Sequence, residues 1–193
     1  MANKVLFGLE QVHIAFLDNM AAEQPAWSTP VHIPGAVNFA ANPDGSENTF
    51  YADNTKYWIH ESNNGYTGEL EIALFPDEVI AEMLGWEIDT NGMLVEKADA
   101  VGKPFALMGQ VKGDARNRRF VYYNCKASRP GDSANTTTDS ITPTTQSVTL
   151  TMLPVGSDKL VKSTIELDET NQAIYEAFFE QVTLPNAEPP AAG

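Results

Sequence analysis

The residues of this chain best suited to metal binding or nucleophilic catalysis are three histidines and one cysteine. His13, His32 and His60 are scattered, with no pair spaced four residues apart and no cysteine beside them, so the sequence predicts no zinc site. Cys125 lies in an apolar, strand-like segment with no activating base displayed, which predicts a small buried apolar residue. We therefore expect no catalytic residue, no bound metal and no cofactor.

Two carboxylates, Glu69 and Glu71, are the strongest candidates for an enzymatic site. Two residues apart on one strand, they share a face with their Cα atoms about 7 Å apart, roughly the carboxylate spacing of glycoside hydrolases. Glycosidase carboxylates usually come from different elements and lie in an aromatic cleft, which nothing in the sequence requires. A solvated polar strand face is the favoured interpretation, and a small hydrolase is the weakest of three functional alternatives.

The chain is acidic, with a formal net charge of −14 at pH 7. Phosphate binding needs clustered lysine and arginine, so this charge argues against nucleic acid as a tightly bound partner. The basic residues concentrate in residues 97–129, which hold eight lysines and arginines against two acids. They form either a basic hairpin solvated at the surface or a face that meets an acidic neighbour.

Strand patterns dominate the chain. Apolar and polar residues alternate over residues 11–16 and 147–152, which is the period of a half-buried strand. Leu70, Ile72 and Leu74 share one face of the strand that carries the two glutamates. Further strands are expected at residues 27–33, 36–40, 56–61, 86–88, 93–95 and 160–167.

Turn and cap residues connect these strands. Residues 105–111 and 119–127 predict a hairpin, and Asn64-Gly65 predicts a tight turn that pairs strands 56–61 and 69–75. Further turn and helix signals are the Asn91-Gly92 hairpin, Pro76 and Gly85 at the two ends of one helix, and Asp168 or Thr170 as the cap of a second helix.

The expected fold class is an antiparallel β-sandwich or partly closed barrel with one flanking α-helix and a short C-terminal helix. The β-domain covers residues 1–167, and the C-terminal helix with a flexible, proline-rich tail covers residues 168–193. Residues 41–56 form a long polar loop, a kind of segment that is usually functional or disordered. No apolar run approaches the roughly 18 residues of a membrane span, and residues 1–9 lack a secretory pattern. We therefore expect folding in a cytoplasm.

Five stretches, taken in their order and spacing, resemble the major tail protein, or tail tube protein, of phages with long, non-contractile tails. The match covers roughly residues 5–165. Its stretches are Pro34-Gly35-Ala36-Val37, Tyr51-Ala52-Asp53-Asn54, residues 63–71 with Phe75-Pro76-Asp77 and Leu84-Gly85, Lys103-Pro104-Phe105-Ala106-Leu107, and residues 122–130. The threonine-rich segment 134–147 departs from the family pattern, and the C-terminal helix lies outside the match.

The resemblance implies a virion protein that stacks with copies of itself as hexameric rings, forming a tube assembled in the host cytoplasm. DNA would pass through the central channel during ejection without specific binding. Tape-measure, tail terminator and tip proteins are the further partners it implies. Glu69 and Glu71 are the candidates for the channel lining, because carboxylates would keep DNA from adhering.

Two segments are candidates for contacts between such subunits. The loop at residues 41–56 is the first, because it is long and holds aromatic residues; its candidate contact residues are Asp44, Glu47, Phe50, Tyr51 and Asp53. The basic segment is the second, through Lys112, Arg116, Arg118 and Arg119.

A carbohydrate- or protein-binding β-sandwich adhesion module is the alternative to a tube subunit. Such a module would show an aromatic platform, a secretory route, or both. Trp27, Trp58 and Trp86 are dispersed along the sequence, and no secretory pattern is visible. The tube subunit is therefore the favoured expectation.

Overall fold

The computed structural model describes residues 8–19, 25–113, 117–132, 136 and 144–186, and its largest element is a nine-stranded sheet. The strands are β1 (Leu9–Asn19), β2 (Ala26–Trp27), β3 (Val31–His32), β4 (Ala36–Asp44), β5 (Glu47–Ala52), β6 (Thr55–Glu61), β7 (Gly65–Ile72), β8 (Glu87–Ile88), β9 (Leu94–Val95), β10 (Phe105–Val111), β11 (Arg119–Ala127), β12 (Gln146–Met152) and β13 (Lys162–Ile165). The helices are α1 (Asp77–Leu84) and α2 (Gln172–Glu176), which continues as a 3₁₀ turn at Ala177–Phe179. The expected mainly β class with two helices is confirmed.

The large sheet is antiparallel and open. Its order is β2-β1-β10-β11-β12-β7-β4, with β3 also paired to β1 and β13 also paired to β11. Among the described strands this path does not close on itself, so the expected partial barrel is not confirmed. β4 therefore forms one edge of the sheet, and only its inner side is paired with a described strand.

Strand β1 is buried on both faces, rather than on the single face that its alternation predicted. Val12, Ile14 and Phe16 join the larger core, which also contains β7, β12 and α1 residues. Ala15 and Leu17 join a second core on the opposite face of the sheet. The short side chain of Ala15 and the imidazole of residue 13 gave no apolar signal, which is why the second buried face was missed.

Helix α1 begins and ends where the sequence predicts. Pro76 precedes the first helical residue, and Gly85 ends the helix with a φ of 75°, in the left-handed region that glycine adopts without strain. Four apolar side chains of this helix are buried against the larger core: Val79, Ile80, Met83 and Leu84. The local signals and the packing agree for this element.

The C-terminal segment, which we define as residues 172–184, covers the second core. Helix α2 begins at Gln172 after an Asn171 cap position, so it starts later than Asp168 or Thr170 would place it. Phe178 is buried against β10 and β11, and Leu184 packs at the edge of the same cluster. Leu184 belonged to the predicted flexible tail, and residues 187–193 of that tail lie outside the described residues.

The predicted loop at residues 41–56 is wrong, because these residues belong to a long antiparallel ribbon. β4 continues into β5, and the chain turns back at Asp53 and Asn54, whose φ angles are 51° and 58°. β6 then returns alongside β5, and β7 alongside β4. Two left-handed residues are typical of the two-residue hairpin turn, and Asp and Asn tolerate that conformation.

The expected turn at Asn64-Gly65 is also wrong. β6 pairs with β5, and β7 pairs with β4 and β12, so no hairpin connects β6 to β7. Gly65 instead starts β7 with a φ of 107°, where an added Cβ would lie 1.9 Å from the Met152 carbonyl oxygen. The glycine is required by this close approach of two backbones.

Several other strand predictions are confirmed with adjusted limits. β10 and β11 form the predicted hairpin, β8 and β9 pair as predicted across the Asn91-Gly92 turn, and β12 lies within one residue of its predicted start. The predicted strand at residues 27–33 is two short strands, both paired to β1. Leu74 lies beyond the end of β7 and is exposed, and the neighbouring Phe75 is buried in its place.

The two faces of β7 and β12 should differ sharply in their tolerance of truncation. Leu70→Ala removes a fully buried side chain and should lower the free energy of unfolding by about 2–5 kcal/mol. Thr149→Ala, on the exposed face of the paired strand, should lower it by less than about 1 kcal/mol. Urea denaturation of the two variants measures the difference, and equal losses would contradict the assignment of faces.

Candidate assembly surfaces

The tip of the long ribbon, residues 47–61, forms a hairpin that we call the aromatic hairpin. All seven residues of β6 are exposed, and among the described strands β5 and β6 pair with each other alone. Exposed fractions reach 58% for Phe50, 72% for Tyr57 and 52% for Trp58. A two-stranded hairpin is marginal by itself in water, and clustered exposed apolar groups mark an interaction site. The aromatic hairpin is therefore the leading candidate for contact with a partner.

The side chains of the aromatic hairpin are ordered by its register. Phe50 lies opposite Trp58, and Trp58 stacks on His60 with ring centroids 5.5 Å apart and an interplanar angle of 3°. Strand alternation places these three rings on one face, and Tyr57 and Ile59 on the other. From its base to its turn the hairpin is about 20 Å long, at about 3.4 Å per residue. It can therefore present an aromatic surface on each side.

The base of the aromatic hairpin is joined to the sheet by backbone hydrogen bonds. The Ser62 amide donates to the Ser46 carbonyl at 2.9 Å, and the Asn64 amide donates to the Asp44 carbonyl at 2.8 Å. The Ser46 amide donates to Ser62 Oγ at 3.0 Å. The ladder of the sheet thus continues through the junction, and the hairpin is held in a defined direction.

The aromatic hairpin and its base are acidic. Asp44, Glu47, Asp53 and Glu61 outnumber the single cation, Lys56. Hydrogen bonds from the Thr49 hydroxyl and then from the Lys56 ammonium lower the pKa of the Glu47 carboxyl. A pocket of about 340 Å³ at the base is lined by residues that include Asp44, Glu47 and Glu61. A partner for this region should carry apolar side chains with basic residues around them.

A second surface, which we call the polar face, lies on the exposed side of β4, β7 and β12. Glu69 aligns with Ala40 and Thr149, and Glu71 aligns with Asn38 and Ser147. Glu71 accepts a hydrogen bond from the Thr145 hydroxyl. The remaining members are Asn42, Thr67 and Thr151. The solvated polar strand face that the sequence favoured for the two glutamates is confirmed.

The basic segment is largely paired within the chain. Lys112 lies 3.6 Å from a Glu10 oxygen, and Arg118 donates from Nε to Glu166 at 3.1 Å. Arg119 is held by Gln110 and by the C-terminal segment. Arg116 lies outside the described residues. Lys112 and Arg118 therefore each have an acidic partner within the chain, and their contact with a neighbouring subunit stays a prediction.

The structure brings together two histidines that the sequence left scattered. His13 on β1 lies opposite His32 on β3, with ring centroids 4.9 Å apart. His60 lies apart from them, on the aromatic hairpin. No cluster of three metal-ligating side chains is found within the described residues. A two-residue strand such as β3 carries no periodic pattern, so its register could not be read from the sequence.

Cys125 is fully buried in β11, as the sequence predicts. Desolvation raises the pKa of its thiol far above the ordinary value. Because the thiolate is the reactive form, a thiol reagent should modify the native protein at the rate of its unfolding. Absorbance after addition of a chromogenic disulfide measures this, with urea-unfolded protein as the fast control. Rapid reaction in the native state would contradict the burial of this thiol.

No protein-family model matches the chain, and a search of curated proteins finds no match. Within the described residues, no helix is long and apolar enough to cross a membrane.

Proposed function

We propose that this chain is a structural subunit that polymerises as stacked hexameric rings into the tail tube of a long-tailed phage. The tube fold, the hexameric ring and the place in the virion come from the resemblance of the sequence stretches. The observation that carries the proposal is the aromatic hairpin, whose two faces are both exposed in the single chain.

The aromatic hairpin supports self-association because its surface is incomplete in the single chain. Phe50, Tyr57 and Trp58 would each lose their water contact on docking, and aromatic residues of this kind dominate binding free energies. No other described strand pairs with the outer edges of β5 and β6, to which a neighbouring strand can add by backbone hydrogen bonds. In the proposed tube, the hairpin docks on the next subunit, which is the role expected from the sequence for residues 41–56.

The polar face supports the role of a conduit. It is built of threonine, serine, asparagine and alanine, with Glu69 and Glu71 as the charges on β7. A DNA molecule sliding along such a surface meets hydroxyl and amide groups and is repelled by the carboxylates. In the proposed tube, β4, β7 and β12 of each subunit line the channel.

A second candidate function is a glycan-binding adhesion module, and one observation favours it. Phe50, Trp58 and His60 form a continuous aromatic face on the hairpin, and an aromatic platform is what such a module needs. The sequence showed the tryptophans only as dispersed. The same surface would then bind a sugar in place of a second copy of the chain.

Electron microscopy of the concentrated protein separates the two candidates. A tube subunit should form rings or hollow tubes in negative stain, and end-on views should show sixfold symmetry. An adhesion module should stay a monomer at the same concentrations and bind a defined sugar on a glycan array. A protein that stays a monomer even with a nucleating tail tip, and that also binds no glycan on the array, would contradict both candidates.

A further inference from the structure

The C-terminal segment is held on the sheet by a cluster of rings and cations around His13. The imidazole of His13 stacks on Phe179, with ring centroids 4.6 Å apart and an interplanar angle of 18°. His13 Nδ1 lies 2.8 Å from the Gln11 carbonyl, and because a carbonyl can only accept, this nitrogen donates. The imidazole is 8% exposed, so Phe179 and its neighbours close it off from water.

Arg119 completes the contact from β11. Its guanidinium lies 3.7 Å from the Tyr175 ring centroid and 4.6 Å from that of Phe179, and it donates to the Tyr175 carbonyl. The Tyr175 hydroxyl in turn donates to the Asn117 carbonyl at 2.7 Å. These groups tie the C-terminal segment to β1 and to the start of β11, and the Tyr123 hydroxyl also donates to the Thr183 carbonyl at 2.9 Å.

Desolvation is the largest of the effects that lower the pKa of His13, and the hydrogen bond to the Gln11 carbonyl opposes it. Coulombic effects of His32 on β3 and Arg119 on β11 lower the pKa further. Gln110 on β10 is neutral, and the Glu10 carboxylate of β1 is engaged by Gln110 at 3.0 Å. From the C-terminal segment, Glu176 and Glu180 are exposed. A proton on His13 would thus place a buried cation beside the Arg119 guanidinium.

We propose that the contact between His13 and Phe179 is a proton-sensitive latch for the C-terminal segment. At neutral pH the uncharged imidazole stacks on Phe179 and the segment covers the second core. In acid the imidazolium is repelled by Arg119 and is poorly solvated where it lies, so the segment leaves the sheet. Its departure uncovers Tyr123 and removes Phe178 from one wall of the groove of about 290 Å³ that it lines with Tyr123 and Ile165.

The direction of the pH dependence follows from the lowered pKa. Folding disfavours the protonated form of His13, so the unfolded or undocked state binds the proton more tightly. The contribution of His13 to docking is complete above its ordinary pKa of 6.5. It is lost as the pH falls from there through the lower value of the folded state. This proposal does not depend on the tube function.

Hydrogen-exchange mass spectrometry of the full chain between pH 7.5 and 5 tests the latch, after correction for the intrinsic pH dependence of exchange. Peptides from residues 172–184 should lose protection in acid, while peptides from β10 and β11 keep theirs. His13→Phe keeps a ring on Phe179 but takes no proton, so its segment should stay protected at pH 5. His60→Phe is the matched control for exchange in this segment alone, and its peptides from residues 172–184 should lose protection in acid as those of the wild type do.

His32→Gln is a second variant that leaves His13 in place. It removes the Coulombic effect by which His32 disfavours a proton on His13, so it should reduce the loss of protection in acid. Wild-type protection that does not change with pH would overturn the proposal. So would an equal loss in His13→Phe, or a loss shared equally by every peptide of the protein.

Discussion

Replacing two facing aromatic residues, Phe50→Ser together with Trp58→Ser, should abolish self-assembly and leave the fold intact. The two side chains are paired across the aromatic hairpin and more than half exposed, so the isolated chain gains little from them. On docking they would be desolvated, and aromatic hot spots contribute about 2 kcal/mol or more each. Each lost side chain should then raise the concentration needed for assembly roughly 30-fold. Sedimentation velocity over a concentration series measures this.

The control for the aromatic pair removes equally exposed apolar groups elsewhere. Leu74 and Val101 are 68% and 77% exposed and lie outside the aromatic hairpin. Leu74→Ser with Val101→Ser should assemble as the wild type does. Thermal unfolding should show the same midpoint for both double variants. If the Phe50→Ser, Trp58→Ser variant formed normal rings, the aromatic hairpin would not be part of the interface.

Reversing the charge of the polar face should turn a conduit that repels DNA into one that retains it. Glu69→Lys with Glu71→Lys places two cations per subunit where β7 faces solvent, and in a ring they would repeat around the channel. A surface that neutralises about six phosphates should lose roughly a thousandfold in DNA affinity between ~50 and ~200 mM salt. Filter binding of assembled tubes to DNA measures this, and a phage with this change should eject its genome slowly.

The matched control carries the same charge change at exposed positions away from the polar face. Asp99→Lys with Asp158→Lys should neither retain DNA in the channel nor slow ejection. If a phage with Glu69→Lys and Glu71→Lys ejected its DNA at the wild-type rate, β7 would not line the channel. Because assembly is scored first by microscopy, a failure to form tubes is separated from a failure to release DNA.

The parts of the fold that could be predicted are those in which local signals and burial agree. Helix α1 has a proline at one end, a glycine at the other and one apolar stripe between them. β10 and β11 are continuous apolar runs on either side of a polar turn. β7 alternates cleanly, which placed Glu69 and Glu71 on a solvated face. Each of these elements buries its own apolar residues.

The strand predicted at residues 56–61 is confirmed as β6, but the β5 half of the aromatic hairpin could not be predicted in this way, because both faces of the hairpin meet water. Glu47, Asn48 and Thr49 are all polar and give no signal of a buried strand face, although they form part of β5. The turn signal was present in Asp53 and Asn54, whose side chains favour the left-handed conformation. A strand that buries its side chains only against a partner does not need to alternate apolar and polar residues, so the period-two pattern does not detect it. The misread segment is therefore the one with the strongest claim to function.

The cluster around His13 was missed for a different reason. It joins residues from β1, β3, β11 and the C-terminal segment, which are far apart along the chain. Composition and spacing carry no information on such contacts, and the two-residue strand β3 has no pattern of its own. Only the register of the sheet brings His13 and His32 side by side.

The central claim is that the aromatic hairpin recognises a second copy of this chain, and thiol labelling tests it most directly. Because Cys125 is buried, Asn48→Cys places the one reactive thiol on the aromatic face, with Phe50 and Trp58 unchanged. Labelling should be fast in dilute protein and should slow by at least about tenfold at concentrations that give rings or tubes. Fast labelling within assembled particles would show that the hairpin stays exposed, and the account would fail.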